Sequence, residues 1–71
     1  MTKLSANMTR TLIEVAEAGS TIAWGRDKAS ALALEKRGLL AVTGIMDAEG
    51  SGEGLVVEIT EPGFELAVEL V

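Results

Sequence analysis

The stretch Ala31-Leu-Ala-Leu-Glu-Lys-Arg-Gly-Leu-Leu-Ala41 is followed, nineteen residues on, by Thr60-Glu-Pro-Gly-Phe64. Alanine and leucine are strong helix formers, Lys36 and Arg37 suit the negative end of a helix dipole, and Gly38 supplies a stop. Leu39 and Leu40 then begin a β-favouring stretch. In the second motif Thr60 can accept from the free amides of a first helical turn, Glu61 suits the positive end of the dipole, and Pro62 sits where a missing amide costs little. Together the two motifs read as the end of a helix, a hairpin, and the start of another helix.

Working outward, Ser5 is placed to cap a helix over about 6–18. Met8, Leu12, Val15 and Ala16 recur at helical spacing, Ile13 widens the stripe, and Arg10, Glu14 and Glu17 lie off it. Gly19 ends this helix. Ser20-Thr-Ile-Ala-Trp-Gly25 reads as a brief strand able to pair with the edge of the later hairpin. Asp27 is expected to cap a second helix with Lys28 to Arg37 as its body. Leu39–Met46 and Leu55–Thr60 are strand-like, with Asp47 to Gly54 as the turn between them. Leu55, Val57 and Ile59 alternate with Val56, Glu58 and Thr60, as in a hairpin with one face buried. In the last helix Phe64, Ala67, Val68 and Val71 form the expected inward stripe, which leaves Leu66 and Leu70 on the opposite side. The fold expected over 1–71 is a single α+β domain of three helices with a β-hairpin.

Composition narrows the function. A chain of 71 residues buries only about 60% of the surface it exposes when unfolded, yet this one is 48% hydrophobic. With no cysteine there are no disulfides to supplement the core. Self-association would cover the surplus apolar surface, and a homodimer through Leu66 and Leu70 is expected. No apolar run approaches the ~20 residues of a membrane span. The N-terminus lacks a long apolar stretch after Lys3, which argues against a signal peptide, so a cytoplasmic protein is expected. Charge is lopsided: residues 1–37 hold six bases and four acids, residues 38–71 seven acids and no base. An enzyme is not expected. Histidine, cysteine and tyrosine are absent, and so short a chain has little room for a pocket that would retune carboxylates or lysines. No cofactor motif is present either, because Gly50-x-Gly52-x-Gly54 precedes a strand.

The order helix, short strand, helix, hairpin, helix resembles the winged-helix DNA-binding domains of MarR-like repressors and other small bacterial and phage regulators. Leu34-Glu-Lys-Arg-Gly-Leu-Leu40 resembles the family's passage from recognition helix to wing, and Thr60 to Gly63 its Thr-x-x-Gly exit. Only eight residues, Gly19 to Arg26, separate the first two helices, where the family fits a further helix; the chain is similar to a reduced form. The resemblance implies a transcription regulator whose second helix enters the major groove of double-stranded DNA. It points to Arg26, Lys28, Lys36 and Arg37, with Ser30 as a further polar contact.

Other features point elsewhere. A net charge of −5 opposes phosphate binding, and Asp47, Glu49 and Glu53 crowd the turn that would approach DNA. A helical projection groups Asp27, Ser30, Ala31 and Leu34 on one side of the second helix and Ala29, Leu32 and Lys36 on the other. Such an alanine–leucine face suits a protein partner, with Leu32, the hairpin and Trp24 as contacts. Trp24 reads first as a core or half-buried anchor on the short strand, with an interface contact as its second reading. Counting from Asp47, the residues Glu49, Ser51, Gly52 and Glu58 fall near EF-hand ligand positions. Gly54 interrupts that pattern, however, and a strand follows rather than a helix, so no metal is expected. Two expectations result: a DNA-binding regulator, or an acidic protein-interaction module on the same fold.

Overall fold

A computed structural model describes residues 4–50 and 52–71. Among these, the chain runs α1 (Ala6–Ala18), β1 (Ser20–Ala23), α2 (Arg26–Lys36), β2 (Leu40–Ala48), β3 (Gly52–Ile59) and α3 (Glu61–Leu70). The architecture is α+β, with three helices and a three-stranded antiparallel sheet in the order β1-β3-β2 among the described residues.

Local chemistry accounts for most element ends. The Ser5 hydroxyl accepts from the Met8 amide at 3.2 Å, and Gly19, at φ 84°, donates its amide to the Val15 carbonyl at 2.7 Å. Both ends of α1 therefore have partners for backbone groups the helix leaves free. The start of α2 differs from expectation. The chain turns from β1 at Gly25, whose φ of 54° favours glycine, and the helix begins directly at Arg26. Asp27 lies in the first turn, where its charge complements the dipole, and makes no capping hydrogen bond. The end of α2 is a Schellman closure. The Gly38 amide donates to the Glu35 carbonyl at 2.9 Å and the Leu39 amide to the Leu34 carbonyl at 3.0 Å, while the Leu34 and Leu39 side chains are both buried.

The hairpin joins the two motifs physically. Thr60 accepts from the Gly63 amide at 3.0 Å as the α3 cap, and the same hydroxyl donates to the Gly38 carbonyl at 2.8 Å. A Cβ at Gly63 would run into the Leu39 carbonyl, so only glycine allows α3 to start this close to the beginning of β2. These contacts lock the entry and the exit of the hairpin together.

The core is built from Leu12, Val15, Ala23, Ala31, Leu34, Leu39, Leu40, Val57 and Ala67. Leu40 and Val57 point from one sheet face into the helices, with Val42, Leu55 and Ile59 partly buried around them. The opposite sheet face carries Ser20, Ile22, Val56 and Glu58, exposed or half-buried, and none of the described helices packs on it. Thr43 is an extra residue in β2, between the pairs Val42↔Val57 and Gly44↔Val56. Its hydroxyl donates to the Val56 carbonyl at 3.4 Å. Such a bulge bends the strand and increases its twist. On the free edge of β2, the Val42 amide donates to the Glu35 carboxylate at 3.3 Å.

Two further expectations are overturned. The strands extend further into the glycine-rich segment than 39–46 and 55–60, with Asp47 paired to Glu53 and Met46 to Gly54. The reversal is concentrated near Gly50 and Gly52, both at φ 82°. The inward stripe of α3 is also not Phe64, Ala67, Val68 and Val71. Gly63 and Ala67 are buried and Leu66 packs on the core, whereas Phe64 is 51% and Val68 60% exposed. The close approach of Gly63 to Leu39 dictates this rotation: with residue 63 inward, helical geometry carries 66, 67 and 70 towards the core side and turns 64, 68 and 71 away.

Candidate functional site

The described basic side chains lie on α1 and α2 or at their ends, and α3 has none. Arg26 and Lys28 occupy the first turn of α2, Arg26 exposed and Lys28 half-buried; Lys36 and Arg37 stand exposed at its other end. At 1.5 Å per residue the two clusters are about 15 Å apart. Arg37 is partly committed, since its Nη1 donates to the Ala33 carbonyl at 3.0 Å and so serves a free acceptor of the last turn. Lys3 lies outside the described residues.

Ser30 is not a surface contact. It is 6% exposed in the α1–α2 seam, where its hydroxyl accepts from the Asn7 side-chain amide. Asn7 in turn accepts from Arg10 Nη2 at 2.9 Å, and Arg10 Nε lies 3.8 Å from Glu14. The buried serine therefore holds an asparagine that orients an exposed guanidinium. Arg10 and Arg26 line one open cleft together with Ala6 and Asn7. Arg10 did not stand out in the sequence. Its only signal was a position off the apolar stripe of α1, and its proximity to Arg26 follows from how the two helices cross.

The projection of α2 that put Ser30, Ala31 and Leu34 on one side matches the buried face, and Ala29, Leu32 and Lys36 are exposed. Leu32 is 44% exposed on that outward face. Trp24 is half-buried on the uncovered side of the sheet. Its ring lies over Gly54, where an added Cβ would come within 2.9 Å of the indole and 2.5 Å of Ile22 Cγ2. Glycine in β3 is what lets the indole lie flat.

Of the two leucines expected at a dimer interface, Leu66 packs against the core and Leu70 remains 42% exposed. The exposed apolar surface of α3 is instead Phe64 and Val68. They line a groove of about 150 Å³ with Val71, Ala67 and the α1 residues Ile13, Ala16 and Glu17.

The hairpin tip brings Asp47 opposite Glu53, with Glu49 next to them, while Ile45 and Met46 are exposed along β2. Glu58 lies at the far end of β3, paired with Ser20 and Ala41, so it cannot close a calcium loop with the tip carboxylates. Ser51, another position in that reading, is outside the described residues. No described helix is long and apolar enough to cross a membrane. No protein family, curated protein or solved structure matches the chain.

Proposed function

We propose that this domain is a small DNA-binding regulator, a reduced winged helix that straddles a groove of duplex DNA with α2. The observation that carries the reading is the pair of cationic clusters about 15 Å apart at the two ends of that helix. A B-DNA major groove is about 12 Å wide, so Arg26 and Lys28 can meet one phosphate wall while Lys36 and Arg37 meet the other. Arg10, held by Asn7 beside Arg26, adds a further phosphate contact at the first wall. The face between the clusters is Ala29, Leu32 and Ala33, which offers apolar contact to thymine methyl groups and no bidentate hydrogen bonding. Binding on this reading depends on the backbone and is weakly selective. The acidic tip keeps the hairpin away from phosphates.

The test is a titration of mixed-sequence duplex across salt concentrations. Five phosphate contacts give a log–log slope of about −4.5, and reversing Lys28 and Lys36 to Glu abolishes binding. Negligible affinity at low salt removes the DNA reading.

The second reading is a protein-interaction module, and the exposure of Leu32, Ile45 and Met46 favours it. A partner covering the outward face of α2 would desolvate Leu32, and Trp24 stands ready on the open sheet face as an aromatic contact.

A further inference from the structure

We propose that the groove between α1 and α3 docks a cationic amphipathic helix of another protein. Three features of the groove argue for that occupant.

The floor is apolar. Ile13 and Ala16 on one side and Phe64, Ala67 and Val68 on the other line an open groove of about 150 Å³. A cavity of about that size, lined by aliphatic and aromatic groups, accepts a benzene-sized group. It therefore suits one bulky anchor, with neighbouring anchors lying along the open ends. Two roughly adjacent helices also present the trough in which a third helix packs by its i, i+3, i+4 positions.

The rim is acidic. Glu17 lines the groove one turn after Ile13, and Glu65 and Glu61 lie one and two turns before Val68 along the outer edge of α3. All three carboxylates are exposed. The only base on α1 is Arg10, already beside Glu14, and α3 has no base at all.

This charge distribution selects against a second copy. Self-docking through the groove sets Glu17, Glu61 and Glu65 against the same three residues, and like charges juxtaposed at an interface oppose association. Lysines or arginines flanking the apolar stripe of a partner helix would meet the rim, and its leucine-like anchors would fill the floor. None of these residues belongs to the cationic clusters of α2, so this site stands or falls independently of DNA binding.

The experiment titrates the full chain, isotopically labelled, with a synthetic amphipathic helix of leucine and lysine, and reads amide shifts by NMR. Saturable shifts centred on Ile13, Ala16, Phe64 and Val68 are expected. Val68→Asp adds negative charge while spoiling the floor, and it should weaken binding at least tenfold; its amide spectrum reports that the fold is kept. Glu17→Lys with Glu65→Lys should weaken binding about tenfold and flatten its salt dependence. Ile45→Asp, on the hairpin, should leave it unchanged. The proposal is overturned by any of four results: no binding, equal or tighter binding by Val68→Asp, shifts centred on Asp47, Glu49 and Glu53, or a wild-type dimer in sedimentation that Val68→Asp dissolves. The last would make a second copy the occupant.

Discussion

The two ends of the β2–β3 hairpin are held in different ways. At the base, Thr60, Gly63, Gly38 and Leu39 meet through backbone groups: a hydroxyl accepts one amide and donates to one carbonyl, and a glycine yields to another carbonyl. Each residue there has one geometry and few substitutes. At the tip, Asp47 faces Glu53 across the strands, Met46 is exposed, and the Trp24 indole rests over Gly54 from outside the hairpin. Beyond the strand pairing that runs through Asp47 and Glu53, the contacts there are made by side chains, and side chains can move. The base determines where α3 begins and which way it faces, whereas the tip is free to vary with what it touches.

Substitutions at matched positions put this contrast to the test. Gly63→Ala should have the largest effect, because a methyl group directed at the Leu39 carbonyl can be relieved only by moving backbone; a loss of about 3 kcal/mol is expected. A domain of this size has only about 3–5 kcal/mol in reserve, so the denaturant midpoint should fall to near zero. A midpoint close to wild type would show that the base is as pliant as the tip. Gly54→Ala meets the same kind of obstruction from Ile22 and Trp24, but those groups can swing outward, and about 1 kcal/mol should be lost. Trp24 is the only tryptophan, so a red-shifted emission would report its release directly. Glu53→Lys should stabilise the hairpin by roughly 0.5 kcal/mol by turning a like-charged cross-strand pair into an opposite one. A midpoint lowered by that change would mean the tip carboxylates do something other than repel.

The same contrast explains which features could be read from the chain alone. Ser5, Gly19, Gly38, Thr60 and Pro62 act on backbone within a few residues of themselves, and the helix ends they mark lie where their chemistry suggested. The start of α2 departs from its capping chemistry because Asp27 is a good capping residue, while Gly25 alone can make the turn from β1. The orientation of α3 departs from its side-chain pattern for a deeper reason. Phe64 and Val68 are the natural choice for a buried stripe by size, but the burial of Gly63 was settled by a contact with a residue on the other side of the hairpin. Of the cationic positions, Arg26, Lys28, Lys36 and Arg37 were evident from their bracketing of a helix. Arg10 was not, and the true place of Ser30 behind it depended on the crossing of α1 and α2. Helix ends were local and could be read, while faces and neighbours depended on contacts far apart in sequence.

The bond from the Val42 amide to Glu35 has a consequence for a chain this rich in apolar residues. An open sheet margin is a template on which a strand from another molecule can form, the first step of lateral growth into fibrils. One outward-pointing amide of β2 is already taken by a carboxylate, and Thr43 breaks the regular spacing beside it. The other margin, β1, is only four residues long. The domain can therefore leave greasy side chains in water for a partner to find while offering its own copies little backbone to grip.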